Sequence, residues 1–377
     1  MAALTAKTTA APELVTIPYV DLVSGRNDAK IGQLVAHAFG KDGLGVLAVT
    51  DVPEAVVDER LRLLGLARRL GTLPSEVLAK YERGDLHYCA GWSRGREKFK
   101  GKVDTAKGSW YANGLWEDAA NGDEALKARY PESTTEPEWP NEEVGDDLRD
   151  AFRALSRSFY EMSRHVLRHC DAAVSKSLEA KGYAATSSSG TLTAVTHERS
   201  RLHVGRLLHY YPKDDGPKAS DDDAAWCGWH NDNSVITALA PAIYFDDATG
   251  ARVPAPAGAG LLAFSRHGDK VRVGSPPANS VLFQIGEAAQ ILSGGTLIAT
   301  PHAVAAGEMQ GISRESFALF IEPDWEEAMQ VPGGCSLDAV LAPDDARADI
   351  IPPLRSRLTE VPVSFIKFLM DSVAEYY

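Results

Sequence analysis

The sequence has no run of about 18 consecutive apolar residues, the length that a transmembrane helix requires. It also has no cluster of basic residues: 52 aspartates and glutamates outnumber 39 lysines and arginines, for a net charge of −13. An acidic chain without a basic patch is a poor electrostatic match to nucleic acid or anionic lipid. We therefore expect neither a nucleic acid nor a membrane as a partner.

Cysteine is scarce as well, with four residues and no CxxC pair. Wide spacing of this kind argues against a structural zinc site and against a disulfide scaffold. It fits a reducing compartment, so the expected location is cytoplasmic. The residues interpreted as buried or inert thiols are Cys89, Cys170, Cys227 and Cys335.

The first part of the chain has the periodicity of alternating strands and helices. Of the 377 residues, 44% are hydrophobic, which is enough for a sizeable core. Asp51 is placed to cap one of the helices. The pattern predicts strands at 15–22 and 43–49 and helices at 30–39, 53–70 and 75–81.

The rest of the chain changes character twice. Residues 85–140 are typical of a long ordered loop, and apolar residues at spacings of three and four then predict one long helix over 143–181. Short strands with Gly, Pro and Asp turns predict a closed or double-sheet β core, and the last fifty residues return to helix. The predicted strands are 201–211, 234–245, 260–266, 280–285, 296–300 and 316–322.

One short motif in this β region has the chemistry of a metal site. His230 and Asp232 are two residues apart, so on an extended backbone both side chains point to the same face. One imidazole and one carboxylate are two of the three facial ligands that ferrous iron takes in oxygenases. An H-x-D triplet alone is weak, because it also occurs by chance.

A second segment strengthens this hypothesis. His302 follows a predicted strand and a glycine-rich turn, which can return its imidazole to the same end of the β core. Arg314 and Ser316 come next, two residues apart on one face of a strand. A guanidinium binds a carboxylate through two hydrogen bonds, and a neighbouring hydroxyl adds a third. These residues could hold a small dicarboxylate whose other end points at the metal.

With these motifs, the sequence resembles the plant and fungal 2-oxoglutarate/Fe(II)-dependent dioxygenases of the isopenicillin N synthase-like type. The resemblance covers nearly the whole chain. The interval from Asp232 to His302 is longer than is usual in that family, with the extra residues around 246–260, and the one from His302 to Arg314 is slightly stretched. The matching segments, in order, are IPYVDL, GLGVLAVTDVP, GWSRGREKF with KGSWYAN, YYP, HND, GEAAQILSGG, TPHAV and RES.

The resemblance implies a mixed α/β (α+β) fold with a double-stranded β-helix (jelly roll) core and flanking helices. It implies that His230, Asp232 and His302 bind Fe(II), and that Arg314, Ser316 and Tyr211 bind 2-oxoglutarate. It further implies consumption of O2, with ascorbate as a reductant, and hydroxylation or desaturation of a small organic metabolite with release of succinate and CO2. We expect a monomer with an amino-terminal region at 1–190, the jelly-roll core at 191–325 and a carboxy-terminal helical extension at 326–377.

The substrate pocket and two alternatives stay open at this point. An oxidase of the same fold that does not consume 2-oxoglutarate would use the Arg-x-Ser pair to hold a different carboxylate. A binding or regulatory protein on this scaffold would not turn over at all. Expected substrate contacts, for each of which ordinary packing is an equal alternative, are Trp110, Tyr111, Asn113, His203, Phe365 and Phe368.

Overall fold

The computed structural model describes residues 13–96, 98–99, 102–183, 189–212, 226–266, 268–273, 276–308, 310–345 and 348–376. Its strands are β1 (Val15–Pro18), β2 (Val46–Thr50), β3 (Gly91–Arg94), β4 (Lys98–Phe99), β5 (Lys102–Val103), β6 (Lys107–Asn113), β7 (His203–Tyr210), β8 (Cys227–His230), β9 (Ile236–Leu239), β10 (Ile243–Asp246), β11 (Arg252–Val253), β12 (Ala259–Phe264), β13 (Lys270–Arg272), β14 (Val281–Ile285), β15 (His302–Ala306), β16 (Ile312–Ile321), β17 (Ala328–Met329) and β18 (Val363–Ser364). Its α-helices are α1 (Tyr19–Ser24), α2 (Asp28–Phe39), α3 (Glu54–Gly71), α4 (Ser75–Leu78), α5 (Glu124–Arg129), α6 (Pro131–Thr134), α7 (Asn141–Val144), α8 (Leu148–Ala180), α9 (Glu287–Leu292), α10 (Leu337–Asp345), α11 (Leu354–Arg357) and α12 (Phe365–Tyr376).

Two sheets form the core. The large sheet has the order β1-β2-β14-β9-β16-β7-β6-β3, and the smaller one has the order β13-β12-β15-β8. Leu208 and Tyr210 of the large sheet and Val304 of the smaller sheet belong to one buried cluster, so the sheets face each other. This arrangement confirms the predicted mixed α/β fold with a jelly-roll core.

The large sheet divides at one point along its central strand. β9 and β10 both pair with β16, one after the other, with residues 240–242 between them. Beyond β9 the next strand is β14, whereas beyond β10 it is β11. The sheet therefore splits next to Pro241, and we call this place the sheet split.

The predicted long helix is confirmed as α8, which begins at Leu148 after the short helix α7. Its apolar stripe is buried along its full length, as the spacing of three and four requires. Phe152 of this helix packs edge-on against Phe317 of β16, with ring centroids 5.0 Å apart. α8 and α3 thus cover the outer face of the large sheet and leave its inner face to the space between the sheets.

Three predicted elements at the amino-terminal side are wrong in detail. The strand predicted at 15–22 ends at Pro18, and α1 follows. Asp51 does not cap α3; its carboxylate accepts a hydrogen bond from Asn279 at 3.0 Å instead. Residues 85–140 are not one loop, because β3 and β6 extend the large sheet there.

Two predictions next to the candidate site are also corrected. Residues 296–300 form no strand, and His302 begins β15 rather than following a strand. The glycine-rich segment before it contains the buried helix α9. The predicted domain boundaries stay a prediction; residues 1–190 contribute β1, β2, β3 and β6 to the same sheet as the core strands.

Candidate metal centre

The three predicted metal ligands meet at one end of the smaller sheet. His230 is the last residue of β8 and His302 is the first of β15, and the two are paired across the strands. Asp232 Oδ1 lies 3.8 Å from Nε2 of His230 and 3.7 Å from Nε2 of His302. One ligand atom from each residue fits within 4.8 Å of the others, so a single metal ion can contact all three.

The hydrogen bonds of the two imidazoles orient them for metal binding. Nδ1 of His230 donates to the carbonyl oxygen of Gly228 at 2.8 Å, and Nδ1 of His302 donates to that of Thr300 at 3.2 Å. A proton on Nδ1 leaves the lone pair on Nε2, which is the arrangement that metal-bound histidines show.

The carboxylate between them fits the same role. Asp232 is buried, and its Oδ2 has no hydrogen-bond partner among the described residues.

Burial, helped by the charge of His230, lowers the pKa of His302 to about 4, so that imidazole is neutral as a ligand must be. Burial alone would also lower the pKa of His230, but Cys227 and Asp232 outweigh it and raise that pKa to about 9, so a metal ion that binds at neutral pH would displace a proton from this imidazole.

A glycine permits the close backbone approach that positions Asp232. Gly286 lies so close to this segment that a Cβ there would be 2.0 Å from the carbonyl oxygen of Ser234. The backbone N–H of Glu287 then donates to the carbonyl oxygen of Asp232 at 2.8 Å. The start of α9 therefore fixes the backbone that presents the ligand.

A cavity of about 300 Å³ connects the triad with Arg314 and Ser316. Both residues lie on the inner face of β16, together with Ala318 and Phe320. Arg314 is buried, and its Nε and Nη1 have no hydrogen-bond partner among the described residues. Burial opposes its charge, but Tyr210 and Tyr244 raise the pKa of Arg314 above its ordinary value. A charged, partly unsatisfied guanidinium in a cavity is suited to a carboxylate ligand.

The structure corrects the expected role of Tyr211. Its hydroxyl donates to the carbonyl oxygen of Gly71 at 2.9 Å, on the outer face of the sheet. Tyr210 lines the cavity instead, with its ring 4.8 Å from the guanidinium carbon of Arg314. Neighbouring residues of a strand point to opposite faces, so only one tyrosine of the pair can face the cavity.

None of the six expected substrate contacts lines this cavity, and the aromatic ones pack elsewhere. Trp110 is fully buried between the rings of Tyr81 and Trp139 on the outer face of the sheet. Phe365 and Phe368 are fully buried in the main hydrophobic core. These three expectations were wrong because large apolar residues fill the core at least as often as they line a pocket.

The other three expected contacts have structural roles. The ring of Tyr111 lies 4.9 Å below the guanidinium of Arg206. Asn113 donates to the carbonyl oxygen of Arg201 at 2.8 Å and accepts from backbone N–H groups of the following turn. His203 is fully buried, and its Nδ1 accepts from the backbone N–H of Glu322.

The sequence analysis missed several residues that line the cavity. Strand alternation from Arg314, applied to the neighbouring strand, would have found Tyr210 and Arg206. Nothing in the sequence places Arg60 or Arg252 there. Both reach the cavity through contacts between distant parts of the chain, and Arg60 donates to the carbonyl oxygen of Pro241.

Among the described residues, no helix is long and apolar enough to cross a membrane.

No family model matches the chain. It is 25% identical over 316 residues to a feruloyl CoA ortho-hydroxylase of Ipomoea batatas, covering 82% of this chain and 71% of that one.

Solved structures of the same fold cover nearly all of the chain. A 2OG-Fe(II) oxygenase family protein from Caulobacter crescentus matches 97% of this chain and 100% of its own, with a TM-score of 0.67 and 20% identity. A full-length Neurospora crassa protein in complex with alpha-KG matches 98% of both chains, with a TM-score of 0.63 and 18% identity. The expected jelly-roll oxygenase fold is confirmed.

Proposed function

We propose that this chain, which has the fold of the 2-oxoglutarate/Fe(II) oxygenases, is an Fe(II)- and 2-oxoglutarate-dependent oxygenase that hydroxylates or desaturates a small organic molecule. The observation that supports this most is a single cavity whose wall contains both a three-residue metal site and the charged Arg314. Both parts are chemically incomplete among the described residues, since Asp232 Oδ2 and Arg314 Nε have no partner. Iron and a 2-oxo dicarboxylate would complete both at once.

Each residue then has a distinct task. His230, Asp232 and His302 hold Fe(II), which when bound supplies the oxidising chemistry with O2 and 2-oxoglutarate, releasing succinate and CO2. Arg314 and Ser316 bind the distal carboxylate of 2-oxoglutarate and direct its other end toward the metal site. Apolar residues from both sheets exclude water from the space between: Leu208, Leu239, Leu261, Leu282, Val304 and Phe320.

The class of substrate is a small organic molecule. One similar protein is a feruloyl CoA hydroxylase, and another solved structure of this fold contains thymine. These two names point to chemically different small organic molecules, so they support that class and no particular compound. The proposal also includes a monomeric state and a cytoplasmic location. Size-exclusion chromatography with light scattering tests the monomeric state.

The experiment is a measurement of succinate released from 2-oxoglutarate by the anaerobically iron-loaded protein after O2 is admitted. The wild type should release succinate, and a panel of small organic substrates should increase the rate. His230→Ala should release none and keep its circular dichroism spectrum, because that half-buried imidazole adds little to the core. Oxidised substrate without succinate would support the oxidase alternative, and a wild type that binds but never turns over would support the binding-protein alternative.

A further inference from the structure

The buried arginines of the described part of the chain fall into two groups. Arg153 and Arg357 are paired with carboxylates: Arg153 with Glu117 and Glu136, and Arg357 with Glu287. The other two, Arg60 and Arg314, have no carboxylate partner among the described residues. Both of these line the cavity that contains the triad.

Arg60 enters the cavity from outside the large sheet. It lies on α3, and its Nη1 donates to the carbonyl oxygen of Pro241 at 2.6 Å, at the sheet split. Its Nε is buried and has no hydrogen-bond partner among the described residues. Arg252 of β11 also lines the cavity and adds a second positive charge that acts on Arg60.

A buried guanidinium without an anion is unfavourable. Taking its charge out of water costs several kcal/mol, which an ion pair or good hydrogen bonds must offset. Burial, together with Arg252, lowers the pKa of Arg60 to about 10, as expected for a cation without an anionic neighbour. The chain has 52 acidic residues, yet none of those described forms an ion pair with Arg60 or raises its pKa.

The proposed function assigns both carboxylates of the co-substrate to groups other than Arg60. 2-Oxoglutarate has two carboxylates; in the proposed function one binds the metal together with the keto oxygen, and the other binds Arg314 and Ser316. Neither carboxylate is assigned to Arg60. An anion that Arg60 binds separately from the Arg314 and Ser316 site would therefore belong to a second molecule.

We propose that the Arg60 end of the cavity is a second anion subsite, which binds a carboxylate or phosphate group of the organic substrate. The inference rests on the proposed function and narrows its substrate class to anionic molecules. Arg60 provides the main contact, and Arg252 strengthens the positive potential there.

The variants for the test are Arg60→Met, Arg60→Lys and Arg68→Met. Methionine keeps much of the length of the side chain without its charge, and lysine keeps the charge. Arg68 is the matched control, since it lies on the same helix but pairs with Asp247 and does not line the cavity. Because Arg60→Met removes an unpaired buried charge, we expect the variant to fold with a melting temperature close to that of the wild type.

The first measurement uses sulfate as the probe and needs no turnover. Iron-loaded protein is kept anaerobic with saturating 2-oxoglutarate, and its melting temperature is recorded against sulfate and against chloride of equal ionic strength. The wild type, Arg60→Lys and Arg68→Met should show a saturable rise specific to sulfate, and Arg60→Met should not. Absence of the rise in the wild type, or its persistence in Arg60→Met, would overturn the proposal.

The second measurement separates the sources of the anion. Arg60→Met should keep its affinity for 2-oxoglutarate within about twofold of the wild type. A loss of affinity equal to that of Arg314→Met would assign Arg60 to the co-substrate and overturn the proposal. Failure of the proposed function itself is seen separately, as absence of succinate from the wild type.

The third measurement uses matched pairs of carboxylic acids and their methyl esters in the succinate-release assay. The carboxylic acids, rather than their methyl esters, should increase the rate of the wild type. Arg60→Met should raise the KM of these acids by about tenfold or more, with little change in the KM for 2-oxoglutarate. Esters that work as well as the acids, with a KM unchanged in Arg60→Met, would contradict an anionic substrate.

Discussion

Arg357 and Glu287 form an ion pair through two hydrogen bonds of 2.6 Å each, and neither side chain has exposed surface. Asn231, which lies between two of the proposed metal ligands, donates to the same carboxylate at 2.9 Å. The pair thus connects α11, near the carboxyl end of the chain, with the turn that carries Asp232. This connection makes the carboxy-terminal segment part of the metal site's support.

Arg357→Met should therefore weaken both the fold and metal binding. Loss of one partner leaves a buried carboxylate unpaired, which costs about 3–5 kcal/mol of unfolding free energy. The double variant Arg357→Met/Glu287→Leu should recover most of that stability but not the affinity for Co(II), because it also removes the carboxylate that accepts the hydrogen bond from Asn231. Urea unfolding and a Co(II) absorption titration measure the two effects. Wild-type Co(II) affinity in the double variant would show that the pair only stabilises the fold.

The two adjacent tyrosines should differ in their effect on the co-substrate. Tyr210→Phe removes a hydroxyl near Arg314 inside the cavity and should weaken 2-oxoglutarate binding by about threefold to tenfold. Tyr211→Phe breaks the hydrogen bond to Gly71 and should cost about 1 kcal/mol of stability without a change in that affinity. Calorimetry with anaerobic iron-loaded protein compares them. The reverse order would restore the role first expected of Tyr211.

Arg314→Met should raise the dissociation constant of 2-oxoglutarate by about two orders of magnitude, because it removes the charged hydrogen bonds to the distal carboxylate. Pyruvate, which lacks that carboxylate, serves as the control ligand and should bind wild type and variant equally. Equal loss of affinity for both ligands would mean that the substitution damages the metal site rather than the carboxylate contact.

Glu322 should make stability depend on pH. Burial, with a smaller effect from the charge of Asp232, raises the pKa of Glu322 from 4.5 to about 8. At pH values between 4.5 and about 8, Glu322 of the native state keeps a proton that Glu322 of the unfolded state has lost. The contribution of Glu322 to the stability of the native state is therefore complete below pH 4.5 and disappears as the pH rises to about 8.

Glu322→Gln removes this dependence. Relative to the wild type, the variant should gain stability as the pH rises from about 5 to about 8, by a few kcal/mol in order of magnitude. Urea unfolding of the metal-free proteins across that range measures the difference. A difference that stays constant with pH would show that the carboxyl is ionised in the native protein.

The sequence was most informative where chemistry depends on short spacing. His230 and Asp232 share a face because they are two residues apart, and Arg314 and Ser316 share one for the same reason. The periodicity of α8 also predicted its buried stripe correctly. Each of these inferences needs only local geometry.

The rest depends on contacts that no local pattern encodes. Arg60 meets Pro241 across 181 residues, and Arg357 meets Glu287 across 70. The expectation for Tyr211 failed by a single residue, since an error of one position in a strand exchanges its two faces. Residues 85–140 looked like a loop because β3 and β6 are short and the sequence around them is rich in Gly, Trp, Tyr, Asn and Pro, with weak periodicity.

The most direct test of the metal site is an anaerobic titration of the metal-free protein with Fe(II) in saturating 2-oxoglutarate, followed by the visible charge-transfer absorption of the iron-bound 2-oxo acid. The account predicts one iron per chain in the wild type, no band in Asp232→Ala or His302→Ala, and a normal band in the control variant His37→Ala, an exposed residue of α2. A band of wild-type strength in Asp232→Ala or His302→Ala would contradict it.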